Sequence, residues 1–175
     1  MNAKTLGKIA LFTALLVVSA FLFIPIGAVP ITLQSLVLVL CGLLLGVRAS
    51  LLSVSAYLLL GVIGVPVFSG FQGGFSVFVA PTGGFLVGFL PAVLLISLGK
   101  KLRFTWLFTL LAHLVLYAVG TVWFVAFYDS TAGLITCLTT LVLPFLLPDA
   151  IKAIFAVWLS KKMEKHLNTQ GQVRV

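Results

Sequence analysis

Between one cluster of prolines, glycines or charges and the next, this chain is apolar on every side for stretches about as long as a bilayer is thick. A helix that is apolar all round has no face to give to water, so its surroundings must be lipid or other apolar helices. Composition supports this at one point: of the 175 residues, 62% are apolar and only 8% charged, against about 25% charged in an ordinary soluble domain. The chain reads as a single all-α transmembrane domain without a soluble appendage beyond a short tail.

A crossing helix takes about 20 apolar residues, with a range of roughly 17–25. Breakers and charges divide the chain into six spans, at about 7–24, 32–46, 50–63, 85–98, 104–127 and 132–160, with 161–175 a short basic tail. The first run follows Lys4 and Lys8 as a secretory signal would, but no small-x-small cleavage pattern closes it, so it reads as a retained helix. Pro25 to Pro30 reads as a turn, because both prolines restrict the backbone and Gly27 relaxes it. The segment from Gly64 to Gly84 holds Pro66, Pro81 and six glycines, which excludes a regular helix facing lipid. It is either a loop sheltered at membrane depth beside a substrate or an exposed connection. The last stretch is too long for one untilted crossing and carries Pro144 and Pro148; we expect a helix bent or broken at the prolines that resumes at Asp149.

The net charge is +8, and the placement of the basic residues gives it meaning. Lys4 and Lys8 precede the first span and Arg48 separates the second and third. Lys100, Lys101 and Arg103 separate the fourth and fifth, and Lys161, Lys162, Lys165 and Arg174 follow the sixth. The alternate connections contain no lysine or arginine, and Asp129 is their only charge. Ten of the eleven basic residues therefore fall on one side, which the positive-inside rule makes cytoplasmic, together with both termini. The expected location is the cell membrane, in contact with lipid. Small groups of cations at span ends are not the patch that nucleic acid requires, so that class of partner is excluded.

The eleventh basic residue, Lys152, lies inside an apolar stretch with Asp149. A charge at mid-bilayer costs about 2.5–3.5 kcal/mol even on the mildest scale. A spacing of three puts both on one helix face. Nine residues separate Lys152 from Lys161, roughly 14 Å of helix, which places the pair in the outer half on the side of the glycine-rich loop. The pair is either an internal packing bridge or the polar floor of a ligand site. As a site, the carboxylate would accept N–H groups of a neutral heterocycle and the ammonium would bind a carboxylate or carbonyl.

Other polar residues carry less. His113 lies mid-span with no acidic or histidine neighbour and reads as a packing or interhelical hydrogen-bonding group. Trp106, Trp123, Tyr128 and Trp158 read as interfacial anchors. Cys41 and Cys137 lie within apolar spans and read as packing residues, with no spacing that supports a metal or a disulfide framework. Ala10 and Ala14 form a small-xxx-small pair that lets another helix approach. No catalytic set is assembled by the sequence, and Gly99-Lys100-Lys101 lacks the rest of a phosphate loop. An enzyme is not expected, and active uptake would need a partner or an ion gradient. A channel would need a repeated or ring-like polar lining, which is absent.

An ordered set of motifs then resembles one family. Val29-Pro30-Ile31-Thr32-Leu33-Gln34, Gly64-Val65-Pro66-Val67-Phe68, Pro81-Thr82-Gly83-Gly84-Phe85 with Gly88-Phe89, Pro144-Phe145 and Asp149-x-x-Lys152 are similar to the BioY family, the biotin-specific S components of energy-coupling factor (ECF) transporters. The resemblance spans nearly the whole chain. It implies a six-helix S-component fold and biotin uptake, with biotin bound near the outer face. It implies ligand contact by Asp149 and Lys152, and a pocket lined or closed by Gln34, Phe68, Gly73, Gly74, Thr82, Gly83 and Phe85. It implies a transmembrane coupling subunit and two cytoplasmic ATPases as partners, docked through Ala10 and Ala14. No cofactor is implied for this chain, since ATP would be used by the partner ATPases. Two departures stand out: Pro148 occupies the place where relatives commonly have glycine, and Gly64 to Gly84 contains no arginine or asparagine for a ligand carboxylate.

Overall fold

The computed structural model describes residues 2–131 and 133–172. Ala132, at the start of the sixth stretch, and Arg174, assigned to the basic tail, lie outside the described residues. The chain is mostly helical, and its helices begin and end for local reasons. α1, Ala3–Phe21, starts on Asn2, whose side-chain oxygen accepts from the Thr5 N–H at 2.9 Å. It ends before Pro25 because the residues ahead of a proline are pushed out of helical geometry. Two short strands follow, β1 (Phe23–Ile24) and β2 (Ile31–Thr32), which pair antiparallel with Phe23 opposite Thr32. Pro25 to Pro30 is thus the turn of a hairpin, and the first span is shorter at this end than the apolar run suggests.

α2, Gln34–Leu45, and α3, Val47–Val62, are separated only by Gly46. Gly46 has φ +76, a left-handed conformation that residues with a Cβ rarely adopt, so one residue is enough to redirect the chain. The glycine-rich segment contains one helical turn, α4 (Ser76–Val79), and leads into α5, Gly83–Lys101. Lys100 and Lys101 extend the last turn of α5, where cations complement the helix dipole. α6 is Thr105–Phe127, α7 is Leu134–Cys137, a π turn occupies Leu138–Val142, and α8 is Leu143–Gln172.

The break expected at the prolines lies one turn earlier. α8 runs through both Pro144 and Pro148, and the irregularity is the π turn that precedes them. A proline ring presses on the carbonyl four residues back. The wider π turn resets the backbone just ahead of Pro144, and from there the helix reaches Asp149 and Lys152 without interruption.

Among the described residues, four helical stretches are long and apolar enough to cross a membrane: Ala3–Phe21, Gly83–Lys101, Thr105–Phe127 and Ile135–Lys165. α2 and α3 are apolar but shorter; at 12 and 16 residues they rise about 18 and 24 Å, less than the roughly 30 Å hydrocarbon core. Position compensates for length. α2 packs against α1, α3, α5 and α8, so protein rather than lipid covers much of it. Leu16, Val39, Val54, Val93 and Ile96 form the core between these helices, and Cys41 and Cys137 pack as unpaired, fully buried residues. Outward positions such as Leu110, Leu114, Ile151 and Ile154 are exposed and apolar, as a lipid-facing surface requires.

Candidate ligand-binding site

The hairpin, the start of α2, the glycine-rich segment, the start of α5, the middle of α6 and α8 converge on one cavity of about 60 Å³. It lies at the end of the bundle away from the clustered basic residues of the helix ends: Phe85 in its wall is fifteen residues up α5 from Lys100, about 22 Å of helix.

Asp149 and Lys152 form part of this wall and are 5% and 9% exposed. The Lys152 ammonium donates to Asp149 Oδ1 at 2.8 Å, to the Thr32 carbonyl at 2.7 Å and to Ser35 Oγ at 3.1 Å. Its three N–H bonds are thereby engaged. Ser35 in turn donates to Asp149 Oδ1 at 2.8 Å, and the Tyr117 hydroxyl donates to Asp149 Oδ2 at 2.8 Å. Helices α2, α6 and α8 and strand β2 thus meet on one ion pair. A buried charge pair is tolerable only when its remaining valences are met in this way.

Gln34 extends the polar wall. Its Nε2 donates to the Tyr57 hydroxyl at 2.7 Å, and its Oε1 accepts from Thr32 Oγ1 at 3.2 Å. Most of the rest is apolar, with Phe68, Phe85, Phe89 and Phe145 joined by Val29, Pro30, Leu86 and Leu116, and Ser69 and Thr82 add two hydroxyls. Phe68 is 1% exposed and meets Tyr57 and Phe78 edge-on, with ring centroids 5.4 and 5.8 Å apart. The glycine-rich segment is therefore sheltered by protein at Phe68 and is not simply an exposed connection. Trp123 helps to hold it, donating its indole N–H to the Phe78 carbonyl at 2.6 Å.

Of the residues expected at the site, Asp149, Lys152, Gln34, Phe68, Thr82 and Phe85 line the cavity together. Gly73, Gly74 and Gly83 are not in its wall. They serve close packing instead: a Cβ on Gly73 would strike the Val65 carbonyl, and one on Gly83 the backbone of Phe78. Gly74 has φ +93, and its N–H donates to the Gly61 carbonyl at 2.7 Å. Gly61 and Gly120 matter in a way spacing did not show, because they leave room for the rings of Phe68 and Phe85.

Sequence reasoning missed Ser35 and Tyr117. Tyr117 carries a signal that could have been used, since a tyrosine in mid-span has no headgroup to reach and must find an internal partner. His113 Nδ1 lies 2.8 Å from the Thr109 carbonyl of its own helix, and its ring lines a small apolar space with Leu38, Val39 and Ile96 of neighbouring helices. Ala10 and Ala14 are exposed and lie in a shallow apolar groove between α1 and α3.

The arrangement suits a ligand with an apolar body and a small polar head. Asp149 Oδ2 accepts a hydrogen bond from Tyr117, and a carboxylate oxygen can accept a second; the Gln34 amide nitrogen, which donates to Tyr57, carries two N–H groups. Asp149 and Gln34 thus place an acceptor and a donor type beside the phenylalanines of the wall.

Comparison with known proteins agrees over nearly the whole length. The model of the BioY family matches residues 1–169. A probable biotin transporter of Pyrococcus horikoshii is 39% identical over 94% of this chain and 98% of its own length. A biotin transporter of Thermotoga maritima is 39% identical over 93% and 96%, respectively. A crystal structure of the S-component for biotin from an ECF-type ABC transporter superposes with a TM-score of 0.85 at 34% identity, covering 94% of this chain and 95% of that one.

Proposed function

The chain belongs to the BioY family, and on that premise we propose that its cavity captures biotin as the substrate-specific subunit of an ECF transporter. It is a multi-pass membrane protein whose task is binding and delivery, without bond breaking, and it is not an enzyme. The observation that carries the reading of the site is the buried Asp149–Lys152 pair in the wall of a cavity lined largely by phenylalanine and aliphatic side chains.

Biotin has a cyclic urea, a saturated sulfur ring and a carboxylate on a flexible chain. The urea pairs an N–H donor with a carbonyl acceptor, which complements the second lone pair on Asp149 Oδ2 and the second N–H of Gln34. The sulfur ring suits the phenylalanine walls. Lys152 is fully engaged by protein, so the carboxylate points toward the mouth, where the hydroxyls of Ser69 and Thr82 replace the missing arginine or asparagine. Six spans follow if α2 and α3 cross within the protein interior. Both termini are then cytoplasmic by the charge bias. The transmembrane coupling subunit docks on the α1 face at Ala10 and Ala14, and two cytoplasmic ATPases energise release inward.

The test is retention of biotin by the purified chain, with thiamine and riboflavin as competitors and Lys152→Ala as control. We expect one biotin per chain that neither competitor displaces. Equal binding of all three vitamins, or none of biotin, would reject the reading.

A further inference from the structure

The basic end of the bundle contains a second built feature. A hollow between the α5–α6 turn and α8 is lined by Lys100, Arg103 and Lys161 together with Phe104, Trp106 and Leu107. Glu164 pairs with Lys100 at 2.6 Å, which leaves two net positive charges from three cations and one carboxylate around the hollow. Arg103 has φ +64, and the Leu102 and Phe104 N–H groups close the end of α5 on the carbonyls of Leu98 and Gly99, at 2.8 and 2.9 Å. Glycine is the usual residue at such a cap, so arginine sits here at a conformational cost.

Trp106 also begins a groove of about 300 Å³ between α6 and α8. The groove is mostly apolar, running past Leu110 and Leu114 on α6 and Ala153 and Ile154 on α8 to Tyr117 and Asp149, with Thr109 and His113 also in its wall. From Trp106 to Tyr117 is eleven residues, about 16 Å of helix, close to half of a roughly 30 Å hydrocarbon core. A cationic hollow that shares Trp106 with a mostly apolar groove about one leaflet deep matches a molecule with an anionic head and a long apolar tail. Free phosphate would satisfy the hollow but not the groove.

We propose that this hollow and groove form a site for one anionic phospholipid, with its phosphate at Lys100, Arg103 and Lys161 and an acyl chain along α6 and α8. The chain ends against the outer side of the Tyr117–Asp149 contact, whose inner side lines the ligand cavity. The proposal requires that the chain spans a membrane but not that the cavity holds biotin.

Native mass spectrometry of the full-length chain, titrated with phosphatidylglycerol or phosphatidylcholine of identical acyl chains, tests it. The unaltered chain should retain one phosphatidylglycerol in preference to phosphatidylcholine. Lys100→Gln/Arg103→Gln/Lys161→Gln should weaken that retention about a hundredfold, whereas Lys4→Gln/Lys8→Gln/Arg48→Gln, with the same change in charge, should not. Leu110→Trp, which fills the groove, should also weaken it. Glycerol phosphate, the head without the chains, should fail to compete at equal concentration. Equal retention of the two lipids, equal losses in the two triple variants, or full competition by glycerol phosphate would each overturn the proposal. A melting curve on the same samples reports folding whether or not the cavity binds biotin, and biotin retention measured beside it separates this result from that for the cavity.

Discussion

Tyr117 donates its hydroxyl hydrogen to Oδ2 of Asp149 at 2.8 Å and so ties α6 to α8. The contact is a wall between two spaces, because both residues line the ligand cavity and both line the outer groove. Elsewhere α6 packs mainly on α5. One hydrogen bond to a charged group therefore closes a seam beside the site.

Tyr117→Phe keeps the ring and removes that bond. Hydrogen bonds to charged groups are worth about 1.5–3 kcal/mol of stability, so the melting temperature should fall, and biotin affinity should fall with it because Asp149 loses the group that orients its carboxylate. Isothermal titration in detergent checks it, with a melting curve to show that the fold persists.

The ion pair itself should show strong coupling. Asp149→Asn leaves Lys152 buried without its counter-charge, a change that costs about 3–5 kcal/mol in buried pairs. Lys152→Met leaves the carboxylate in the same position. The double variant Asp149→Leu/Lys152→Met should melt at a higher temperature than either single variant, yet still fail to bind biotin. Recovery of binding in the double variant would mean that the pair only fixes packing.

Gly120 shapes the cavity from behind. A Cβ there would stand 2.6 Å from Cζ of Phe85, so Gly120→Ala must push that ring toward the ligand space. Overpacking of this kind costs about 1–3 kcal/mol. We expect weaker biotin binding that Phe85→Leu in the same chain restores, read as biotin retained by the two variants.

Docking and capture should separate. Ala10→Trp/Ala14→Trp fills the exposed groove between α1 and α3, away from the cavity. Biotin binding by the isolated chain should be unchanged, while ATP-dependent uptake in vesicles with the coupling subunit and ATPases should fall to background. Uptake that survives would place the docking surface elsewhere.

Much of this molecule was legible in its residues because membranes impose simple rules. Lipid demands apolar helices of bilayer length, so the long spans at Gly83–Lys101 and Thr105–Phe127 show in hydropathy alone. The cost of charge in hydrocarbon singled out Asp149 and Lys152 before any neighbour was known. What only the tertiary structure decided was contact across distance. Ser35 lies 114 positions from Asp149 and Tyr117 lies 32, and no periodicity links either to its partner. The roles of the glycines were hidden for the same reason. Gly73 and Gly83 pack against backbone while Phe68 and Phe85 face the cavity, a choice set by which atoms approach once the helices have met. Local composition determines what must be buried, and the packed helices determine which buried groups share a site.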